Sequence, residues 1–209
     1  NNIYQAANTQ ILNCLLHNIN SRVMIDSGAY AYNCIFYNCG QTNATSGYGI
    51  YTQRATLEKC TLIADANHGG YNGEMIVRYV TSTTPVHSTV LYNETTGGYG
   101  NYFNVSSTGI TASDYNADSE GEAPGTNTFT VTQSDFVDYA GGDFNISSSS
   151  PLYTAGAGGL PIGAALGAAT FTNLLMYGDK EVLEARYCAV DSYANVDELS
   201  IGSNLVYQA

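Results

Sequence analysis

Carboxylate side chains offer the most direct chemistry in this sequence. Glycoside hydrolysis needs one protonated and one ionised carboxyl group at a separation that sets the stereochemical outcome. The candidate carboxylates and cations, in chain order, are Arg22, Asp26, Arg54, Asp65, Glu74, Arg78 and Asp114. The chain contains a sequence repeat, described below, and no two of these carboxylates fall at matching positions of neighbouring copies. The sequence therefore predicts no catalytic residues, and solvated loop carboxylates are the expected alternative.

The acidic segment 114–122 offers a different chemistry, because oxygen ligands at alternate positions are what a calcium-binding loop provides. Its candidate ligands are Asp114, Asp118 and Glu120. An EF-hand would need glycine at the sixth position and glutamate at the twelfth, where this chain has Ser119 and Gly125. We therefore expect an acidic turn without a metal, with Ca²⁺ as the alternative cofactor.

The charge balance excludes one class of partner. The chain has 18 acidic and 6 basic side chains, which gives a net charge of −12. Lysine and arginine form no cluster, so nucleic-acid binding through phosphate contacts is not expected.

No apolar run reaches the roughly 18 residues of a membrane-spanning helix. Only 11% of the residues are charged, and 22 glycines and 18 tyrosines are typical of a β protein.

Cysteine is the other residue type with chemical potential. The five cysteines are Cys14, Cys34, Cys39, Cys60 and Cys188. They form no CxxC pair and the three histidines are dispersed, so the pattern does not support a zinc site. We expect reduced cysteines that act as small buried hydrophobes.

These residues are organised by a repeat. The segment from Asn13 to Asn18, which reads NCLLHN, is echoed from Asn33 to Asn38 as NCIFYN. Weaker copies begin at residues 60, 89 and 112, so the first positions are 20, 26, 29 and 23 residues apart. Such spacings suit one turn of a coil of short strands and are too irregular for helical repeats.

Side chains alternate across a strand, so positions one, three and five of each copy share a side. We predict that this side forms a core ladder of small, large and asparagine columns, with the asparagines stacked at a turn. Its members are Cys14, Cys34 and Cys60, then Leu16, Phe36, Leu62 and Leu91, then Asn18, Asn38, Asn93 and Asn116. The fifth copy places Ala112 and Asp114 in the first two columns.

Positions two and four point away from this core and are unexpectedly apolar. The resulting interface strip comprises Leu15, Ile35, Tyr37, Ile63, Val90, Tyr92 and Tyr115. An exposed apolar strip of this length usually marks an interface. We expect identical chains, most simply three, to bury it around a symmetry axis. The alternative is that a segment of the same chain, near residues 126–140, folds over it.

The repeated NC-x-[LF]-x-N strands resemble the right-handed parallel β-helix of the pectate-lyase-like superfamily over about residues 3–168. The segment from Asp143 to Ala164 is similar to the closing segment of many β-helical surface and phage-virion proteins. The fold prediction is an all-β, right-handed parallel β-helix at 1–168, with a C-terminal cap or oligomerisation segment at 169–209. Because the chain opens on Asn1 with a strand almost at once, we expect a processed piece or a first turn stacked on another polypeptide.

The function expected from this resemblance is a non-enzymatic structural or adhesive protein of a virion surface, such as a tail spike, fibre or decoration subunit. The alternatives are a polysaccharide lyase or glycoside hydrolase on the same fold, and an adhesin of a bacterial cell surface. The expected partners are further copies of the chain, other virion or surface proteins, and glycans. Tyrosines in or beside glycine-rich loops, where rings could stack on sugars, are Tyr48, Tyr71, Tyr99 and Tyr102. The expected location is extracellular or on the virion.

Overall fold

The fold is built almost entirely from short parallel strands. The computed structural model describes residues 3–5, 10–17, 23–26, 28–39, 48–64, 74–80, 83, 85–94, 101–105, 107–166, 188–190, 198–201 and 205–208. Within these residues three parallel sheets are wound from successive segments of the chain, so that neighbours in a sheet are far apart in sequence. The prediction of an all-β parallel β-helix is confirmed.

Each full turn of the coil contributes one strand to each of the three sheets. Sheet A contains β1 (Ile3–Gln5), β4 (Val23–Asp26), β7 (Tyr48–Gln53), β10 (Glu74–Val80) and β13 (Asn101–Val105). Sheet B contains β2 (Gln10–Leu12), β5 (Tyr30–Tyr32), β8 (Thr56–Glu58) and β11 (Val86–His87). Sheet C contains β3 (Cys14–His17), β6 (Ile35–Tyr37), β9 (Thr61–Ala64), β12 (Val90–Asn93), β14 (Asn116–Asp118) and β15 (Thr128–Thr130).

The register of sheet C aligns the small and large columns over four turns. Leu15 pairs with Ile35, Ile35 with Thr61, and Thr61 with Val90. Cys14, Cys34 and Cys60 are therefore level with one another. The same register aligns the large column from Leu16 through Phe36 and Leu62 to Leu91.

The alignment of the fifth copy is wrong. Val90 pairs with Ala117, so Asn116, and not Ala112, continues the cysteine column above Thr89. Residues 107–112 form instead a short helix, α1 (Ser107–Ala112). The copy is displaced by four residues because polar side chains replace the apolar ones in this last turn, which removes the pattern that defined the earlier copies. Asn116 is thus in the first column and not in the asparagine column.

A single left-handed residue forms each corner between sheets B and C. These corner residues have φ between 48° and 57°, and they are Asn13, Asn33, Lys59, Ser88 and Tyr115. Asparagine tolerates this conformation, whereas other side chains cost about 1–2 kcal/mol each there. The amide of Asn33 donates to Oδ1 of Asn13 at 2.8 Å. An asparagine pair therefore does stack between turns one residue before the cysteine column, while the stack at position five stays a prediction.

Inside the coil, one apolar core runs along the stacking direction. The alternate side chains of sheet B that point inward meet the inward columns of sheet C. The sheet B members are Ile11, Ala31, Leu57 and Val86, all fully buried. Asn38 is also buried, while Asn93 is half-buried and Asn18 lies outside the described residues.

Polar side chains close the far end of this core. Asn116 is buried and accepts a hydrogen bond from the backbone of Thr89 at 3.0 Å, while its amide donates to the carbonyls of Val86 and Pro124 at 2.8 Å each. Asp118 is also fully buried, at the position where Leu91 stands one turn earlier. These two residues tie the loop after β14 across the end of the coil.

Residues 131–166 form a strap that returns along the side of the coil. It contains an antiparallel hairpin of β16 (Phe136–Asp138) and β17 (Asp143–Ile146) and three single-turn 3-10 segments. Gly163 donates to the carbonyl of Ser88, Ala164 to Oγ1 of Thr61, and Ala165 to Oδ1 of Asn33. The strap therefore runs down the coil from the fourth turn to the second.

The C-terminal residues add three strands. β18 (Cys188–Val190) joins sheet C beside β3, with Cys188 in register with Cys14, and β19 (Glu198–Ile201) pairs with β20 (Leu205–Gln208) as an antiparallel hairpin. One strand of the first turn is thus covered by the chain itself. A role of 169–209 as a cap or oligomerisation segment stays a prediction. No helix in the described part of the chain is long and apolar enough to cross a membrane.

Candidate functional site

The predicted interface strip is not a surface. Its members are buried or half-buried beneath the strap, where they form a second core with apolar side chains of residues 131–166. Leu15 is 6% exposed and Ile63 is fully buried. The expectation that another copy of the chain buries this strip is therefore corrected. The alternative, a covering segment of the same chain, is what the structure shows, although the cover begins at 131 and extends to 166.

Aromatic rings fasten the strap to this outward face of sheet C. Phe144 lies 4.6 Å from the ring of Tyr37 between centroids, and Tyr92 lies 5.6 Å from Phe136 and 5.2 Å from Tyr139. Edge-to-face contacts of this kind add to the burial of the rings themselves. Burial first, and then the charge of Glu94, raise the pKa of Tyr92. The outward face of sheet C is thus buried inside the protein.

The calcium candidates have other roles. The carboxylate of Asp118 accepts hydrogen bonds from the backbone nitrogens of Glu120, Gly121 and Glu122. The two oxygens of Asp114 accept from the backbone and the side-chain amide of Asn127. Glu120 is exposed. Among the described residues, no three His, Cys, Asp or Glu side chains lie together in a way that would hold a metal ion.

The remaining candidates from the sequence lie mostly where side chains are not described. Arg54 is exposed at a corner of the coil. Asp26, Glu74, Arg78, Tyr48 and Tyr102 lie in strands of sheet A, and nothing is described of their side chains. Arg22, Asp65, Tyr71 and Tyr99 lie outside the described residues.

The four cysteines whose side chains are described are buried thiols in the coil interior. Cys14, Cys34, Cys39 and Cys60 form no disulfides and are 6% exposed or less, as predicted. Burial is the largest effect on Cys34 and raises its pKa well above the usual value, despite an opposing hydrogen bond with Cys14. A thiol that stays protonated is a poor nucleophile. These thiols therefore serve to pack the core.

The outward face of sheet B is, among the described side chains, a surface that the strap does not cover. One row on this face follows a single register line across the turns, since the register pairs Leu12 with Tyr32, Tyr32 with Glu58, Glu58 with His87, and His87 with Asp114. We call these five residues the outer row. Leu12 is 43% exposed, and the other four are half-buried. Tyr30 lies in the same strand as Tyr32 and on the same side.

A tyrosine pair and a carboxylate form the centre of this face. The rings of Tyr30 and Tyr32 stack with centroids 6.1 Å apart and planes 22° apart. The hydroxyl of Tyr30 donates to Oε2 of Glu58 at 2.8 Å. Burial first, and this hydrogen bond second, raise the pKa of Tyr30 far above its usual value. Tyr30 therefore remains a hydrogen-bond donor that holds Glu58 in place beside the rings.

Three neighbouring polar groups of the outer row have no partner. Within the part of the chain that the structure describes, the hydroxyl of Tyr32, the Oε1 atom of Glu58 and the ring nitrogens of His87 make no hydrogen bond. They stand on adjacent strands, about 4.8 Å apart by backbone spacing. Unsatisfied donors and acceptors next to half-buried aromatic rings are suited to a ligand that has both apolar faces and hydroxyl groups.

The sequence analysis missed this row, although a signal for it exists. Each member stands two residues before the first position of its copy, so Leu12 precedes Cys14, Tyr32 precedes Cys34, and Glu58 precedes Cys60 in the same way. Because a corner residue lies between each outer-row residue and the cysteine column, the outer row belongs to sheet B and the cysteine column to sheet C. Once the cysteine column was recognised, this constant offset would have identified the first four members.

In comparisons with protein families, characterised proteins and solved structures, the chain matches none. The functional argument therefore depends on the geometry of the outer row.

Proposed function

We propose that the protein is a non-enzymatic, adhesive β-helical protein whose outer row binds glycans. The observation that carries the proposal is the stacked pair of Tyr30 and Tyr32 beside Glu58, on a face that the strap leaves open. Sugar rings stack their apolar C–H faces on tyrosine and donate hydroxyl groups to carboxylates. The open face offers both contacts side by side.

The test is glycan binding by matched tyrosine variants. Wild-type protein is screened against immobilised glycans, and the dissociation constant for the best ligand is measured by calorimetry. Tyr32→Ala is expected to weaken binding about tenfold or more, because it removes an aromatic contact of about 1.4 kcal/mol. Tyr153→Ala is the control, since Tyr153 is 41% exposed and lies on the strap, away from the outer row. Equal affinities for the two folded variants would refute the proposed site.

A polysaccharide hydrolase is the second candidate. Its support is that the outer row contains two carboxylates, Glu58 and Asp114, two strand positions apart. Both oxygens of Asp114, however, are held by Asn127, which leaves them poorly placed to activate water. New reducing ends or unsaturated products released from a bound glycan, and their loss in Glu58→Gln, would establish this activity.

Location and assembly belong to the same proposal. A virion surface, or alternatively a bacterial cell surface, is supported by the resemblance of segment 143–164 to closing segments of β-helical proteins of both kinds. Membership in the pectate-lyase-like superfamily has the repeated strands as its support. Assembly into a homotrimer stays a prediction, and its main argument from the sequence no longer applies because the apolar strip is internal.

A further inference from the structure

We propose that the outer row selects uncharged oligosaccharides that lie along the stacking direction of the coil, and that it rejects acidic ones. This inference rests on the proposed function, since it names the class of glycan that the same face takes. It depends on three features of the row, which are its direction, its hydrogen-bonding capacity and its charge.

The direction follows from how the row changes along its length. From the first turn to the fifth, the side chains run from apolar Leu12 through aromatic Tyr32 to polar Glu58, His87 and Asp114. The five positions span about 19 Å at 4.8 Å per strand, which is the length of an oligosaccharide and not of a single sugar. A glycan laid across the strands therefore meets stacking and hydrogen-bonding groups in succession. A glycan laid along one strand would meet only stacking groups or only hydrogen-bonding groups.

The hydrogen-bonding capacity of Glu58 separates neutral from acidic sugars. An ionised glutamate only accepts hydrogen bonds. A sugar hydroxyl can donate to its Oε1 atom, which no protein group occupies within the described residues. The carboxylate of a uronic or sialic acid, or a sulfate ester, has no proton to donate and would face this oxygen with a like charge. Tyr30 fixes Glu58 from the other side, so the carboxylate is held towards that contact.

The two carboxylates of the row act in the same direction. The outer row contains two carboxylates, at Glu58 and Asp114, and the whole chain carries a net charge of −12. Arg54 and Lys59 are at the two corners that bound β8, beside the row and not in it. Because like charges across an interface cost affinity and slow association, an acidic polysaccharide approaches this face at a disadvantage.

The experiment compares neutral and acidic oligosaccharides of equal length. Dissociation constants are measured for linear neutral hexose and N-acetylhexosamine oligomers and for oligogalacturonate, sialylated and sulfated oligomers, at about 0.15 M salt so that only short-range charge effects remain. Wild-type protein is expected to bind the best neutral oligomer at least about tenfold more tightly than any acidic one. Neutral oligomers should also gain affinity with length until they span the row.

Two glutamate variants test whether Glu58 is the cause. Glu58→Gln provides an amide that can donate to an acid, so the ratio of neutral to acidic affinity is expected to fall by at least about threefold. Glu122→Gln removes the same charge from an exposed loop position and should leave the ratio unchanged. Circular dichroism verifies that both variants are folded.

The outcomes distinguish this inference from the proposed function. Binding of acidic oligomers as tight as that of neutral ones, or a ratio that Glu58→Gln leaves unaltered, would overturn the selectivity while glycan binding stands. A folded wild-type protein that binds no glycan of either class would overturn both.

Discussion

The outward faces of sheets B and C are built from the same alternation of side chains but differ in burial. On sheet C the outward side chains are aliphatic and aromatic, and the strap buries them to make a second core. On sheet B the outward side chains are mixed, and Leu12 remains 43% exposed three residues before Leu15, which is 6% exposed. The difference shows that one outward face of the coil belongs to the core, while the other is left uncovered by the strap. Four predictions test that division.

The largest effect is expected from removing a ring between the strap and sheet C. Phe144→Ala should lower the free energy of unfolding by about 3–5 kcal/mol, because it empties a buried aromatic site that contacts Tyr37, Phe136 and Tyr139. Urea denaturation measures the change. Val137→Ala is the control, since Val137 lies in the same hairpin but is 55% exposed. A loss below about 1 kcal/mol for Phe144→Ala would contradict a packed second core.

A pair of identical substitutions compares the two faces directly. Leu15→Ala is expected to cost about 2–5 kcal/mol, as for other buried leucines. Leu12→Ala should cost less than about 1 kcal/mol, because much of its side chain is already in water. The two thermal or urea midpoints should therefore be clearly separated. Similar costs at both positions would mean that the faces are not divided as described.

The close approach of the strap to the coil is tested at a glycine. A Cβ at position 163 would lie 2.8 Å from Oγ1 of Thr61 and 2.9 Å from Cγ2 of Val90, and φ there is +89°. Gly163→Ala is therefore expected to cost about 1–3 kcal/mol beyond its backbone strain. Gly158→Ala supplies the reference, since φ is +69° but nothing lies within 4 Å. If unfolding experiments give the two variants equal stability, the strap does not approach the coil this closely.

The smallest effect is a pH dependence at the end of the outer row. Burial acts to raise the pKa of Asp114, but the hydrogen bonds from Asn127, Tyr115 and Thr126 outweigh it and lower the pKa below 3.8. A lowered pKa stabilises the fold above the unfolded value, and this stabilisation is lost as the pH falls through the folded value. Asp114→Asn should therefore be less stable than wild type at neutral pH.

That difference in stability should shrink as the pH falls below about 4. The measurement is urea unfolding across this range, with an NMR titration of the Asp114 carboxyl as an independent reading of its pKa. An unchanged difference at acidic pH would show that the ionised carboxylate does not prefer the folded state.

Much of the coil could be predicted from the sequence because its rules are local. A strand alternates with a period of two, so a recurring NCxx motif defines which residues stack and which sides they take. Cys14, Cys34 and Cys60 align for this reason. The fifth turn could not be predicted in the same way. There Asn116 and Asp118 replace Cys and Leu, and their burial depends on hydrogen bonds to a loop that the pattern does not encode.

For the candidate site, the same reasoning could predict the position of the residues but not their exposure. The outer row has a constant offset from the cysteine column, yet its exposure could not be deduced from residue types, since Tyr37 and Tyr92 on the other face are covered while Tyr32 is not covered by the strap.

By itself, the sequence determined the coil, the three stacked thiols and the apolar outward row, because alternation and repeat length act between neighbouring residues. The tertiary structure decided which row is buried. That choice rests on contacts such as the one between Ala165 and Asn33, which are 132 residues apart. An apolar row is stable when another surface covers it, and neither composition nor spacing reveals that the strap of the same chain does so.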